Sequence, residues 1–229
     1  MLMAMLIAAA FAFVGTHFLL SHPLRAGIVN AVGERAFAVL YSVVAFATLG
    51  WMIAAYLAAQ TTAPHWIAGE VIWAISTAIM LVASVLLAGS LVKNPAFPTL
   101  GAPLSEPGPA RGVYAVTRHP MMWSFGIWGL AHIAVYPVDK NIAVATAIIV
   151  LALVGAKLQD AKKARLQPNV WLDWERRTSF VPFAAMIAGR AQIRSLGPFA
   201  VIGGTLLWLG ATWAHLPLAG WAVGIWRWI

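Results

Sequence analysis

Six apolar stretches run along the chain, at roughly 2–20, 37–59, 68–92, 120–136, 141–157 and 197–216, each closed off by a short polar segment. A helix needs about 20 apolar residues to cross the hydrocarbon of a bilayer. Within lipid, a helix satisfies its own backbone groups, which an irregular segment does not. The pattern therefore predicts an all-α fold, a polytopic membrane bundle of six transmembrane helices, with 1–229 as one domain. The fourth and fifth stretches are short and share a tight turn at 137–141. No Lys or Arg precedes the first stretch, so it lacks the basic leader of a cleaved signal peptide and is expected to stay as a helix.

The polar segments differ in kind. Pro95, Pro98, Pro103, Pro107 and Pro109 exclude a helix between the third and fourth stretches. The longest polar segment, 158–196, is expected to begin as an extension of the fifth helix, with Lys157, Asp160 and Lys163 on one face. Beyond the sixth stretch, Trp221, Trp226 and Trp228 around Arg227 form an interfacial aromatic belt.

Charge orients the bundle. With the N-terminus outside, Arg25, Arg35, Lys93, Arg111, Arg118, Lys157, Lys162, Lys163, Arg165, Arg176, Arg177, Arg190 and Arg194 fall on the cytoplasmic side, and Lys140 and Arg227 on the other. Thirteen against two is a strong positive-inside bias and predicts N-out, C-out. Only 10% of residues are charged, against about 25% in a water-soluble domain. Mean hydropathy is +0.82. The net charge of +8 is spread over loops between apolar spans, so its expected partner is the lipid bilayer and its anionic headgroups, with no nucleic acid. The expected location is a bacterial inner membrane.

The chain has no cysteine, which excludes disulfides, thiolate haem ligation, iron–sulfur clusters and a Cys nucleophile. Its reactive inventory is dominated by six histidines. An imidazole inside hydrocarbon needs a partner, which makes His17 and His132 candidate functional residues. Counted along the helices at ~1.5 Å per residue, His17, His22 and His119 share the cytoplasmic depth. His132 lies ~20 Å beyond His119, in the outer half with His215, and His65 is in an outer loop. Two imidazoles at one depth suit haem ligation, a metal or a proton relay. By depth alone His17 pairs more easily with His119 than with His132.

Two polar strips carry the remaining chemistry. In the first, 111–120, Arg118 offers a planar fork for a carboxylate or phosphate. His119 is an acid, base or ligand, and Pro120 opens a helix whose first N–H groups attract anions. The second runs from Lys157 through Asp160, Trp171 and Trp174 to Thr178-Ser179-Phe180-Val181-Pro182-Phe183, mixing acids, bases and aromatics; the two tryptophans also suit plain membrane anchors. No GxGxxG, P-loop or HExxH is present, so a soluble-type nucleotide site is absent.

His17, Arg118-His119-Pro120, Trp128-Gly129-Leu130-Ala131-His132, the 178–183 stretch and His215-Leu216-Pro217-Leu218-Ala219-Gly220 together resemble the NnrU family over nearly the whole chain. The family is named for genes linked to nitrite and nitric oxide reduction, and it includes the plant 15-cis-zeta-carotene isomerase, an integral membrane haem b enzyme. The resemblance implies haem b, with His17 and His132 as its metal ligands and Arg118 paired with a propionate. It further implies redox-dependent isomerisation of a lipophilic small-molecule substrate, or support of nitrogen-oxide respiration. The position where that isomerase carries a cysteine, three residues before the second ligand, is Gly129 here.

The strips also resemble isoprenylcysteine methyltransferase and its relatives. That likeness implies S-adenosylmethionine at Tyr114, Arg118, Asp160 and Trp174, with Arg118 and His119 as the reactive pair. Gln159-Asp160 stands where those enzymes have two glutamates. A third reading is a non-enzymatic accessory protein that holds no cofactor. The substrate and the oligomeric state stay open.

Overall fold

Each apolar stretch forms a helix, and the polar segments add three short ones. The computed structural model of the protein describes residues 1–92, 94–95 and 110–229. In chain order the helices are α1 (Leu2–Ser21), α2 (Arg25–Ala58), α3 (Glu70–Ser90), the single turn α4 (Val113–Val116), α5 (Pro120–Val135), α6 (Asp139–Leu166), α7 (Pro168–Arg177), α8 (Ala184–Ile187) and α9 (Pro198–Ala219). A 3-10 turn, Gly224–Arg227, follows. No strand occurs among the described residues. Lys93 and the prolines at 98, 103, 107 and 109 lie outside them.

Among the described residues, five helices, α1, α2, α3, α6 and α9, are long and apolar enough to cross a membrane. The fourth predicted crossing, α5, has 16 residues, about 24 Å at 1.5 Å per residue, against the ~30 Å of a hydrocarbon core. The long helices pack as successive neighbours in the order α2, α1, α6, α5, α3, α9. Their outer faces stay apolar: only 11% of the most apolar window of α2 is buried within the protein. Lipid tails are as apolar as leucine, so such faces carry no burial penalty, and helices associate through close packing instead. Small residues make that packing possible. Ala9 and Ala10 of α1 meet Ala55 of α2 and Ala147 of α6 around Leu6, Phe13 and Met52.

One helix departs from its predicted start, one extends as predicted, and the tail does more than predicted. The second helix begins at Arg25, not 37, because the polar residues before the apolar stretch form a lead-in held by Arg25 on Glu34 (2.8 Å). Arg25 also lies 5.3 Å over the Phe37 ring. Gly33, at φ 83°, turns this segment relative to the crossing, a conformation open to glycine. The fifth helix extends to Leu166, as expected from its polar continuation. The C-terminal tail is more than a belt. Arg227 binds Glu70 (2.8 Å) and lies 4.6 Å over the Trp73 ring, while Trp226 Nε1 donates to Thr212 Oγ1 (3.1 Å). The tail therefore ties α3 to α9.

The two ends differ in chemistry. At the end holding Lys140 and Arg227, polar groups close locally: His65 Nε2–H donates to Asp139 Oδ1 (2.7 Å), Trp66 Nε1 to the Ala134 carbonyl (2.9 Å) and Lys140 to the Ala59 carbonyl (3.2 Å). The opposite, basic end carries the two strips.

Gly204 sets how closely α9 meets α3. A Cβ there would stand 2.5 Å from Val85 Cα and 2.7 Å from its N. Both are backbone atoms, so the helices must separate. Gly204→Ala is expected to cost about 1–3 kcal/mol, the usual range for overpacking. Gly50→Ala, with nothing within 4 Å of its Cβ, is expected to be neutral or stabilising by up to ~1 kcal/mol through helix propensity. Thermal unfolding of both variants in one detergent checks this, and equal midpoints would refute the α3–α9 argument.

Candidate functional site

The first strip is positioned by the second. After the turn α4, Thr117 is extended and Pro120 starts α5, where its missing N–H costs nothing. Between them, Arg118 N–H donates to the Ser179 carbonyl (2.9 Å) and Phe183 N–H to the Val116 carbonyl (2.8 Å). Thr117 Oγ1 donates to the Phe180 carbonyl (2.7 Å), and so does Trp123 Nε1 (2.8 Å). The 178–183 stretch is thus an ordered strap stitched to the start of α5.

Beneath the strap lies a buried ion network. Arg118 gives two hydrogen bonds to Asp160 Oδ2, from Nε (2.8 Å) and Nη2 (2.6 Å), and a third to Glu175 Oε1 (3.2 Å). His119 Nε2–H donates to Asp160 Oδ1 (2.7 Å). Side-chain exposure is 8% for Arg118, 4% for Asp160 and 1% for His119. Aromatic rings seal it. Phe180 stands 5.7 Å from the His119 ring and 6.0 Å from the Arg118 guanidinium, and Lys163 covers the Trp171 ring at 5.2 Å. Trp171 and Trp174 are buried, and their Nε1 donors find no acceptor among the described residues. Tyr114 packs against Trp174 (6.1 Å) and donates to the Ser90 carbonyl (3.1 Å). Burial pushes its phenol pKa up, which keeps it a donor.

Tyr114, Arg118, His119, Asp160 and Trp174 therefore come together in one cluster. Within it, Asp160 accepts three hydrogen bonds and Arg118 spends its fork on internal carboxylates. Each charge is compensated where burial alone would be costly. Ser179 and Phe180, from the 178–183 stretch, complete the cluster with Glu175 and Thr117, which were not candidate site residues from the sequence. Glu175 follows Trp174 directly, and on α7 the buried pair Trp171 and Trp174 marks the inward face that it flanks.

The histidines separate. His17, on α1, donates Nδ1–H to the Phe13 carbonyl (2.6 Å) and packs edge-on against Tyr41 (5.5 Å). It lines a cavity of ≈ 460 Å³ formed by α1, α2, α5 and α6. Phe13, Phe18, Met122, Phe125 and Leu151 give it apolar walls, while Ser21, His22, Gln159 and Lys162 supply polar groups. His22 is held toward the neutral form by burial and by Lys162 and Arg165. His132 donates Nδ1–H to the Trp128 carbonyl (2.7 Å) and stacks on the Trp128 ring (4.1 Å). Its other ring neighbour is His215, centroids 6.2 Å apart, whose Nδ1–H goes to the Ala211 carbonyl (2.8 Å). No hydrogen bond or ring contact joins His17 to His132 or to His119 among the described residues. Nor do three or more His, Asp or Glu side chains gather into a metal-binding group among them.

Removing Asp160 leaves Arg118 with only a half-exposed partner and His119 with none. Asp160→Ala is expected to destabilise the protein by about 3–5 kcal/mol, the cost of an uncompensated buried charge. Glu175→Gln, at the partly exposed edge (29%), is expected to cost under about 1 kcal/mol. Denaturation midpoints in detergent compare the two, and an equal cost would show that Asp160 is not the centre of the network.

The model of the family described as NnrU protein matches residues 5–223. Among curated proteins, the chloroplastic 15-cis-zeta-carotene isomerase of Zea mays is 32% identical over 111 residues, which covers 45% of this chain and 30% of that protein. The similarity thus reaches less than a third of that relative's length. No solved structure matches the chain. The match over nearly the whole length makes this chain a member of the NnrU family.

Proposed function

We propose that this protein draws a lipophilic, elongated substrate from the bilayer into the cavity beside His17 and isomerises it, with haem b as its redox group. The observation that carries the reading is that cavity. At ≈ 460 Å³ it falls in the range of small-molecule pockets, about 300–1,000 Å³, with mostly apolar walls and a few polar groups. The name of the maize relative supplies the reaction class, cis–trans isomerisation of a carotenoid-like polyene.

The donor chemistry fits haem iron. In both His17 and His132, Nδ1–H is committed to a backbone carbonyl, which fixes the tautomer with its lone pair on Nε2. A backbone acceptor of this kind orients metal-ligating histidines in general. His17, which lines the cavity, would hold the group; His132 lies outside that lining, against Trp128 and His215, so its service as the second ligand requires α1 to tilt or shift toward α5. When bound, the group would supply a redox-active iron. The chain's own contributions are positional. Phe13, Phe18 and Phe125 present rings to an extended π-system and exclude water. Tyr41 limits rotation of the His17 ring. Six crossings with both termini outside, in a bacterial cytoplasmic membrane, complete the proposal, on the 13-to-2 charge bias. A role supporting nitrogen-oxide respiration is compatible with the same chemistry.

Purified protein in mild detergent is expected to show b-type reduced bands and near-stoichiometric pyridine haemochrome, and to convert a cis-polyene to its trans isomer by chromatography. His17→Ala and His132→Ala should each lose haem by tenfold or more. Colourless protein that stays colourless after haem is supplied overturns the haem reading, and full haem in both variants overturns the ligand assignment.

One observation favours a second reading, an S-adenosylmethionine-dependent methyltransferase: the five residues that it names converge in the buried cluster. It predicts saturable binding of labelled S-adenosylmethionine to folded protein, weakened at least tenfold by Trp174→Ala. An accessory protein predicts neither haem nor this binding.

A further inference from the structure

The described acidic residues are all engaged. Glu34 pairs with Arg25, Glu70 with Arg227, Asp139 with His65, Asp173 with Arg177, and Asp160 and Glu175 with Arg118. In a chain of net charge +8 the remaining cations have no internal carboxylate to meet among the described residues. Three of these cations converge with Arg177. Arg111, before α4, Arg177, at the end of α7, and Arg190 and Arg194, in the segment leading to α9, line one cavity of ≈ 590 Å³ with Gln192 and Ser195. No carboxylate lines it among the described residues.

The fold builds this convergence. Arg190 Nη1 donates to the Arg176 carbonyl (2.6 Å) and the Thr178 carbonyl (3.0 Å), so it caps the last turn of α7 and is fixed in place. Arg177 lies over the Trp174 ring (5.9 Å) and pairs with Asp173, yet its Nε is buried without an acceptor among the described residues. The side chains of Arg111 and Arg194 make no hydrogen bond or ion pair among the described residues. Ser195 Oγ accepts from Gly197 N–H (3.0 Å), which leaves its hydroxyl proton to give. Like charges gathered around one concavity repel each other unless an anion sits among them, and low-dielectric walls strengthen the field toward such an anion.

We infer that this arginine-lined cavity binds a phosphate-bearing anion. A guanidinium presents paired donors in a fork that matches phosphate oxygens. Three forks without a full internal partner exceed what one carboxylate accepts, whereas a phosphate offers more oxygens and up to two charges. The cavity lies at the basic end, where both a phospholipid headgroup and a soluble phosphate have access. It is a different place from the Arg118 network, whose fork is already filled.

The test uses the full chain in nanodiscs. In neutral phosphatidylcholine discs, inorganic pyrophosphate is titrated calorimetrically at two salt concentrations. In discs of mixed phosphatidylcholine and phosphatidylglycerol, the lipid retained on the protein is measured by native mass spectrometry. Saturable pyrophosphate binding that weakens with salt identifies a soluble phosphate. Selective retention of phosphatidylglycerol without pyrophosphate binding identifies the headgroup. In either case Arg111→Gln/Arg194→Gln should lose binding at least tenfold. Arg111→Lys/Arg194→Lys should keep only part of it, because an ammonium gives charge without the fork. Arg35→Gln, an exposed cation elsewhere at the same end, should change nothing. Wild-type protein that engages neither probe overturns the inference whether or not the variants fold, and so does an equal loss on Arg35→Gln.

Discussion

One carboxylate organises the basic end of this protein. Asp160 takes hydrogen bonds from Arg118 and His119, residues 42 and 41 positions away, and offsets most of the cost of their burial, with Glu175 adding one bond to Arg118 at the edge. To deliver it, α6 must continue past its apolar stretch, which is why that helix runs 28 residues. To deliver the donors, the chain must leave α4 extended and begin α5 directly at Pro120. The strap then closes over them because Thr117 and the Arg118 amide need the carbonyls of Ser179 and Phe180. Removing that one acceptor unbalances every element around it, since a buried charge is tolerated only with its partners in place.

How much of this was legible in the sequence follows from range. The long helices were legible because lipid leaves a crossing segment no other way to satisfy its backbone, so hydropathy alone locates 2–20 or 68–92 within a few residues. The chemical content of the strips was legible for the same reason: charge and imidazole stand out in an apolar chain. Pairings were not. The partner of Arg118 lies on another helix, and Glu175 reaches the network only because α7 buries Trp171 and Trp174. The lead-in of α2 was hidden because its turn rests on the conformation of one glycine, Gly33. Counting depth put His132 and His215 in one half of the bundle, and their rings do meet at 6.2 Å. The same count grouped His119 with His17, but Asp160 holds His119 beneath the strap, away from the cavity that His17 and His22 share.

Gly129 links packing to chemistry. It stands where the resembling isomerase has a cysteine near its second ligand. In this bundle a Cβ at Gly129 would lie 2.5 Å from Ile149 Cγ1 and 2.9 Å from the Ala145 carbonyl. The α5–α6 contact fills the space that a thiol would need. A thiolate ligand is therefore excluded twice, by composition and by the approach of the neighbouring helix. The ring that His132 meets across the bundle is instead that of His215.

The two arginine environments show how the same side chain serves opposite ends. Arg118 is 8% exposed and faces two carboxylates, so a phosphate or propionate arriving there would have to displace partners already at hydrogen-bond distance. Arg111 and Arg194 sit a few residues from the same strips and line the other cavity, their side chains without an acceptor among the described residues. Burial with a full set of partners makes a guanidinium a structural tie, whereas convergence without partners leaves it a receptor. The division follows from the supply of acids. With the described carboxylates spent on holding strips, tail and lead-in together, the chain's surplus positive charge has to be balanced from outside, and the concavity between α4, α7 and the approach to α9 is where that surplus is densest.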